Sequence, residues 1–215
     1  MEAIINKIRN VLDIPAQERN FSFEPKTISY NAPIDIEKQL YHGFYFDLRR
    51  KIGGDYYLLN ISLCILNKPI CTIANNLQIE AINKRENLSI ALKKSLIKDI
   101  KKNQTLISLS NWSEIDIIFK EKISIWRCSI FSLEDLNDYE WQLLTLFEKG
   151  IKWAEHAKDW EFVINWAFNH DNALQGLSIL KYLDKKEEFK RRKEESLVEY
   201  EKKKYSTKEI EMISI

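Results

Sequence analysis

Glycine and proline are scarce in this chain, with five glycines and four prolines among 215 residues. Phosphate-cradling loops need several glycines in one place, because backbone N–H groups must approach the phosphate closely. The only adjacent pair is Gly53-Gly54, set between apparent strands, and no Walker-type or dinucleotide fingerprint occurs. An ordinary nucleotide-binding fold is therefore not expected. Cysteine is also sparse: Cys64, Cys71 and Cys128 are an odd number without framework spacing. That pattern fits reduced thiols in a cytoplasm better than a disulfide scaffold. Long apolar runs are missing too. No window approaches 18 consecutive apolar residues, and residues 1–13 lack the apolar stretch and cleavage site of a signal peptide. Neither a membrane span nor secretion is expected. Finally, no charge dominates: 33 Lys and Arg stand against 32 Asp and Glu, a net charge of +1. Electrostatic function must then come from local patches.

What is present is enough apolar material for a core, 45% hydrophobic and 12% aromatic. Ile4, Ile5, Ile8, Val11 and Leu12 have helical spacing, and Pro15 is expected to stop that helix. Residues 16–38 read as an extended connection with a short strand at 27–30. Period-two alternation follows. His42, Phe44, Phe46 and Leu48 share one face, and Tyr57, Leu59, Ile61, Leu63 and Ile65 another. Asn67-Lys68 reads as a tight turn into a third strand, 70–74, which would set Cys71 opposite Cys64.

Residues 84–103 switch to helical period, with Leu88, Leu92, Leu96 and Ile100 recurring every fourth position. Strands are expected at 114–120 and, less regularly, at 122–131. From Leu133 onward the pattern is helical, with a break near His170 to Asn172. The tail, 184–211, holds 10 Lys and Arg and 9 Asp and Glu with few apolar residues. Glu187–Arg191, Glu188–Arg192 and Glu199–Lys203 have favourable (i, i+4) spacing. A frayed exposed helix, or one docked on a partner, is expected there.

Few residues carry a chemical signature. Glu155, His156 and Asp159 cluster in sequence, and His156 with Asp159 would share a helix face, but a zinc site needs further ligands. His170-Asp171 reads as a helix end. Glu24-Pro25-Lys26 has the E-x-K spacing of metal-dependent nucleases, with Asp13 upstream, but a proline interrupts it. Asp116, on an expected strand, has no such partner. Cys128 has no visible histidine to activate it. No catalytic residue, metal ligand or cofactor-binding residue is assigned.

Two features point to partners. Lys84, Arg85, Lys93, Lys94, Lys98, Lys101 and Lys102 face only Glu86 and Asp99 across 84–103, a local charge of +5. Such a helix suits phosphate contacts, through Lys93, Lys94, Lys98, Lys101 and Lys102 above all. Trp141, Trp153, Trp160 and Trp166 gather in the C-terminal helices, and tryptophan is enriched at interfaces. Trp153, Trp160, Trp166, Tyr45 and Tyr56 are the candidate protein-binding residues.

The expected fold is α+β: an antiparallel sheet of about five strands covered by helices, with a C-terminal helical extension. Residues 1–158 form the α+β domain, and 159–215 the extension with its charged tail. The element order from residue 2 to about 158 resembles that of bacterial type III secretion chaperone-like domains. The absent catalytic motifs, the abundant tryptophans and aromatics, and the charged helical tail point to a non-enzymatic, protein-binding role. The expected function is a chaperone-like or adaptor-like module binding another protein or itself. The alternative is a nucleic-acid-associated accessory protein using the basic helix.

Overall fold

The computed structural model describes residues 1–109, 118–120, 122–125 and 127–214. In chain order its elements are α1 (Glu2–Glu18), β1 (Ser22–Glu24), β2 (Ser29–Asp35), β3 (Leu40–Arg50), β4 (Tyr57–Leu66), α2 (Lys68–Asn83) and α3 (Ile90–Lys102). Then come β5 (Thr105–Leu109), β6 (Arg127–Ile130), α4 (Glu140–Glu155), α5 (Trp160–Asn169), α6 (Ala173–Tyr182), α7 (Lys186–Lys202) and α8 (Lys208–Met212). Short 3-10 turns, Glu134–Tyr139 and His156–Lys158, flank α4. The fold is α+β, as its patterning predicts. The chain divides into two compact units, Met1–Leu66 with Ser108–Lys158, and Asn67–Ile107 with Asp159–Ile215.

The first unit is built on a sheet of strand order β1-β2-β3-β4-β5, with β6 also paired to β4. The boundary between the units falls inside β5. The β3–β4 ladder is antiparallel and runs without interruption from Tyr41↔Leu66 to Arg50↔Tyr57. Its alternation places His42, Phe44, Phe46 and Leu48 beside Leu59, Ile61, Leu63 and Ile65 on one face, all buried. Helix α1 supplies Ile4, Ile8, Leu12 and Ala16, a stripe at every fourth residue. Helix α4 supplies Leu143, Leu146, Phe147, Trp153 and Ala154. Phe147 sits at the centre, edge-on to Phe21, Tyr30 and Phe44 at 5.0–6.4 Å. Each such aromatic contributes roughly 1.5–3 kcal/mol through burial. Gly150 lets α4 approach the sheet closely, since a Cβ there would lie 3.0 Å from Leu63 Cδ2.

Pro15 does not end α1, which continues to Glu18. Proline removes one backbone donor, and the turn after it is held by buried Ala16, whose carbonyl accepts from Phe21 N at 2.9 Å. The meander is also longer than its sequence suggests, because β1 and a seven-residue β2 form within 16–38.

The second unit is helical. Its central helix is α6, buried from Ala173 through Leu180 and packed by α2, α5 and α7. The segment 70–74 is not a strand but part of α2. Asn67 caps that helix, its Oδ1 accepting from Ile70 N at 2.9 Å, and Pro69 lies in the first turn, where a missing N–H is tolerated. Cys71 therefore faces the helical interior and does not pair with Cys64. The tail is not frayed either. Phe189, Ser196, Ile210 and Ile213 are buried, and α8 packs on α2, α6 and α7. Of the three expected tail pairs, Glu199–Lys203 forms at 2.8 Å. Glu187 turns instead to Lys190 at 3.3 Å, and Arg191 to Glu195 at 2.7 Å. The expected strand at 114–120 lies outside the described residues except at 118–120, which form a helical turn and not a strand.

Candidate functional site

The predicted binding aromatics have different fates. Trp153, on α4, is buried in the core of the first unit. Trp160, the first residue of α5, is half-buried. Trp166 is half-buried too, with the His170 ring stacked on it at 4.3 Å and 12°. Tyr45 lies on the outer sheet face across Gly43, where a Cβ would come within 2.4 Å of the Tyr45 ring. A glycine under an aromatic ring lets the ring cover the exposed backbone of a strand. Burial raises the Tyr45 phenol above its ordinary range. Tyr56 is half-buried and tilts against Phe131 at 4.9 Å.

That last contact leads to a surface that sequence reasoning missed. Residues 131–144 hold Glu134, Asp135, Asp138 and Glu140 and no lysine or arginine, a local charge of −4. Four apolar side chains in the same stretch are open to solvent: Phe131 at 69% exposure, Leu133, Trp141 at 55% and Leu144. Trp141 and Leu144 are three apart on α4 and so share a face. Asp135 fixes the start of the stretch by accepting from Phe131 N and Ser132 N at 2.7 and 3.0 Å. Those bonds hold its carboxyl below the usual range. Among the described residues, Glu140 alone of these four acids is drawn into an ion pair, with Lys7 at 3.0 Å. The available signal was the charge count, which is invisible when only the apolar period of the helix is read.

The predicted basic helix splits at 84–89, and its second half is α3. None of the thirteen residues of α3 is buried. Lys93, Lys94, Lys98, Lys101 and Lys102 stand against Asp99, a net +4. Lys93 Nζ donates to the Asn83 carbonyl at 2.9 Å. Lys84 and Arg85, in the first half, are engaged by Glu80 at 2.7 Å and Glu209 at 3.6 Å. The apolar stripe of α3 is only partly covered, with Leu92 exposed and Leu96, Ile97 and Ile100 half-buried. Both α3 and the 131–144 segment are thus amphipathic surfaces with incompletely covered apolar sides and opposite charge.

The dispersed polar residues form caps and ion pairs. Asp159 caps α5, accepting from Glu161 N at 2.9 Å, while His156 closes α4. The His170 ring Nδ1 meets the Trp166 carbonyl at 2.7 Å, and Asp171 pairs with Lys203 at 2.5 Å. Glu24 accepts from Lys26 N at 3.1 Å in a turn. Asp13 takes the Tyr30 hydroxyl at 2.5 Å and Arg9 at 2.9 Å, which binds α1 to β2. Asp116 lies outside the described residues. Among the described residues no three His, Cys, Asp or Glu side chains converge as a metal ion requires. All three cysteines are buried, and none forms a disulfide. No helix among the described residues is long and apolar enough to cross a membrane.

Compared with protein-family models, curated proteins and solved structures, the chain matches none of them.

Proposed function

We propose that this chain is a non-enzymatic protein-binding module, chaperone-like or adaptor-like, that docks its partner on the acidic aromatic surface of residues 131–144. The observation that supports this reading is the exposure of Phe131, Leu133, Trp141 and Leu144 within a stretch of charge −4. Exposed aromatics in one patch are the usual anchors of an interface, and surrounding charge selects the partner and speeds encounter. The partner chemistry that fits is a basic amphipathic helix. Three buried cysteines without a disulfide support a reducing compartment, the cytoplasm.

A peptide of the chain's own residues 89–102 is a basic amphipathic probe. It is titrated into full-length protein carrying fluorine-labelled tryptophan, which gives six resonances. Saturable movement of the Trp141 signal is expected, with binding weakened about tenfold or more by Leu144→Ala and by Asp138→Lys. Binding that neither substitution changes overturns the reading.

The second reading is nucleic-acid binding through α3, favoured by five lysines on a helix with no buried residue. A labelled duplex is expected to lose affinity steeply with salt. Unchanged binding after Lys93, Lys94, Lys98 and Lys101 are all replaced by Glu rejects it.

A further inference from the structure

The core of the first unit has a polar flaw. His42 lies on the inner face of β3, 1% exposed, and neither ring nitrogen has a hydrogen-bond partner. The ring meets the edge of the Phe21 ring at 5.3 Å. A buried donor and a buried acceptor left unsatisfied each cost about 1–3 kcal/mol, so such groups are rare without a reason. The ring borders a cavity of about 260 Å³. At about 30 Å³ per water, that is room for a compact molecule of roughly ten heavy atoms.

Phe21, Pro33, Ile34 and Ile151 supply an apolar part of the cavity wall. Its polar rim comes from three different elements. Arg19 ends α1, Glu155 ends α4, and Lys158 ends the turn after it. Arg19 is shared with Glu148 at 3.6 Å. Lys158 and Glu155 have no ion-pair partner among the described residues and are exposed. The Lys158 backbone is held in place, its carbonyl accepting from Lys38 Nζ at 2.5 Å, and Lys38 is itself paired with Asp35 at 3.5 Å. One uncommitted cation and one uncommitted carboxylate therefore stand over a half-open pocket whose wall carries both apolar side chains and the His42 imidazole.

We propose that this cavity binds a small zwitterion with an apolar body, the chemistry of a free aliphatic α-amino acid. Lys158, assisted by Arg19, receives the carboxylate, Glu155 the ammonium, and His42 a hydrogen bond that satisfies one of its nitrogens. A purely anionic ligand would meet Glu155, and a purely cationic one would meet Lys158 and Arg19. Only a molecule with both charges matches the rim.

The test uses full-length protein with its three histidines labelled with nitrogen-15. L-Leucine is the probe, with 4-methylpentanoate and 3-methylbutylamine as single-charge controls. Saturable movement of the His42 ring resonances by leucine is expected, with Lys158→Gln and Glu155→Gln each weakening it about tenfold. Both substitutions are at exposed positions, so folding is retained. Absence of any His42 response at about 10 mM leucine overturns the proposal. So does equal binding of 4-methylpentanoate, or insensitivity to both substitutions.

Discussion

At the scale of the residue, His42 is the most consequential side chain. Burial pushes its ring down to about 3 from an ordinary value of 6.5. The charged groups bordering its cavity are Arg19, Glu155 and Lys158, all at the rim. Between those two pH values the unfolded chain holds the proton and the folded chain does not. Stability therefore falls as pH drops through that window, by up to about 1.4 kcal/mol per unit from this one group. His42→Phe is expected to flatten that part of the slope and to leave the protein no less stable at pH 7, since two unsatisfied nitrogens disappear. Urea unfolding of both proteins at pH 7 and pH 4.5 checks it. The thiols follow the same logic in the opposite direction. Burial pushes Cys71 up to about 12 and Cys128 up to about 11, so the reactive thiolate is scarce at neutral pH. A thiol-reactive dye at pH 8 is expected to find none of the three cysteines quickly in native protein, and all three after unfolding.

At the scale of the element, a single side chain can hold a whole segment. Gln142 Oε1 on α4 accepts from Ser124 N at 2.7 Å, Ser124 Oγ at 3.2 Å and Ile125 N at 3.1 Å. Gln142→Ala removes the acceptor and strands a buried backbone donor at Ile125. A loss of about 2–3 kcal/mol in urea unfolding is expected, and Gln142→Glu, which keeps the acceptor, is expected to recover most of it. Elements also show where local reading fails. Asn67-Lys68-Pro69 supports either a tight turn or a helix start. The helix wins because Asn67 Oδ1 satisfies the Ile70 donor and α2 then buries Ile70, Cys71 and Ala74. Strand β5, at Thr105–Leu109, was not anticipated, because five residues after a helical run carry too short a period to stand out.

At the scale of the whole molecule, the helical unit is assembled from two separated stretches of chain, 67–107 and 159–215. Its tail is charged on average, yet four residues decide its fate. Phe189, at 3% exposure, anchors α7, while Ser196, Ile210 and Ile213 are also buried. Phe189→Ala is expected to cost about 3 kcal/mol, where a frayed helix would lose almost nothing. Calorimetry or urea unfolding distinguishes the two. The Lys203–Asp171 and Lys185–Glu161 ion pairs lie at the surface and contribute little beside that anchor.

Periodicity was sufficient for whatever depends on neighbours close in sequence. The alternation of 42–48 and 57–65 marked β3, β4 and their buried face. The break at His170 to Asn172 separated α5 from α6, and the lysines of α3 were legible as a charge count. Tertiary structure decided what depends on residues far apart. It placed Trp153 in the core while leaving Trp141 at the surface, although both occupy one helix. It turned Cys71 into a helical interior, docked the tail, and left His42 buried beside a cavity whose rim comes from α1, α4 and the turn after it. Burial is a property of what packs against a residue, and a local pattern specifies only which face is apolar.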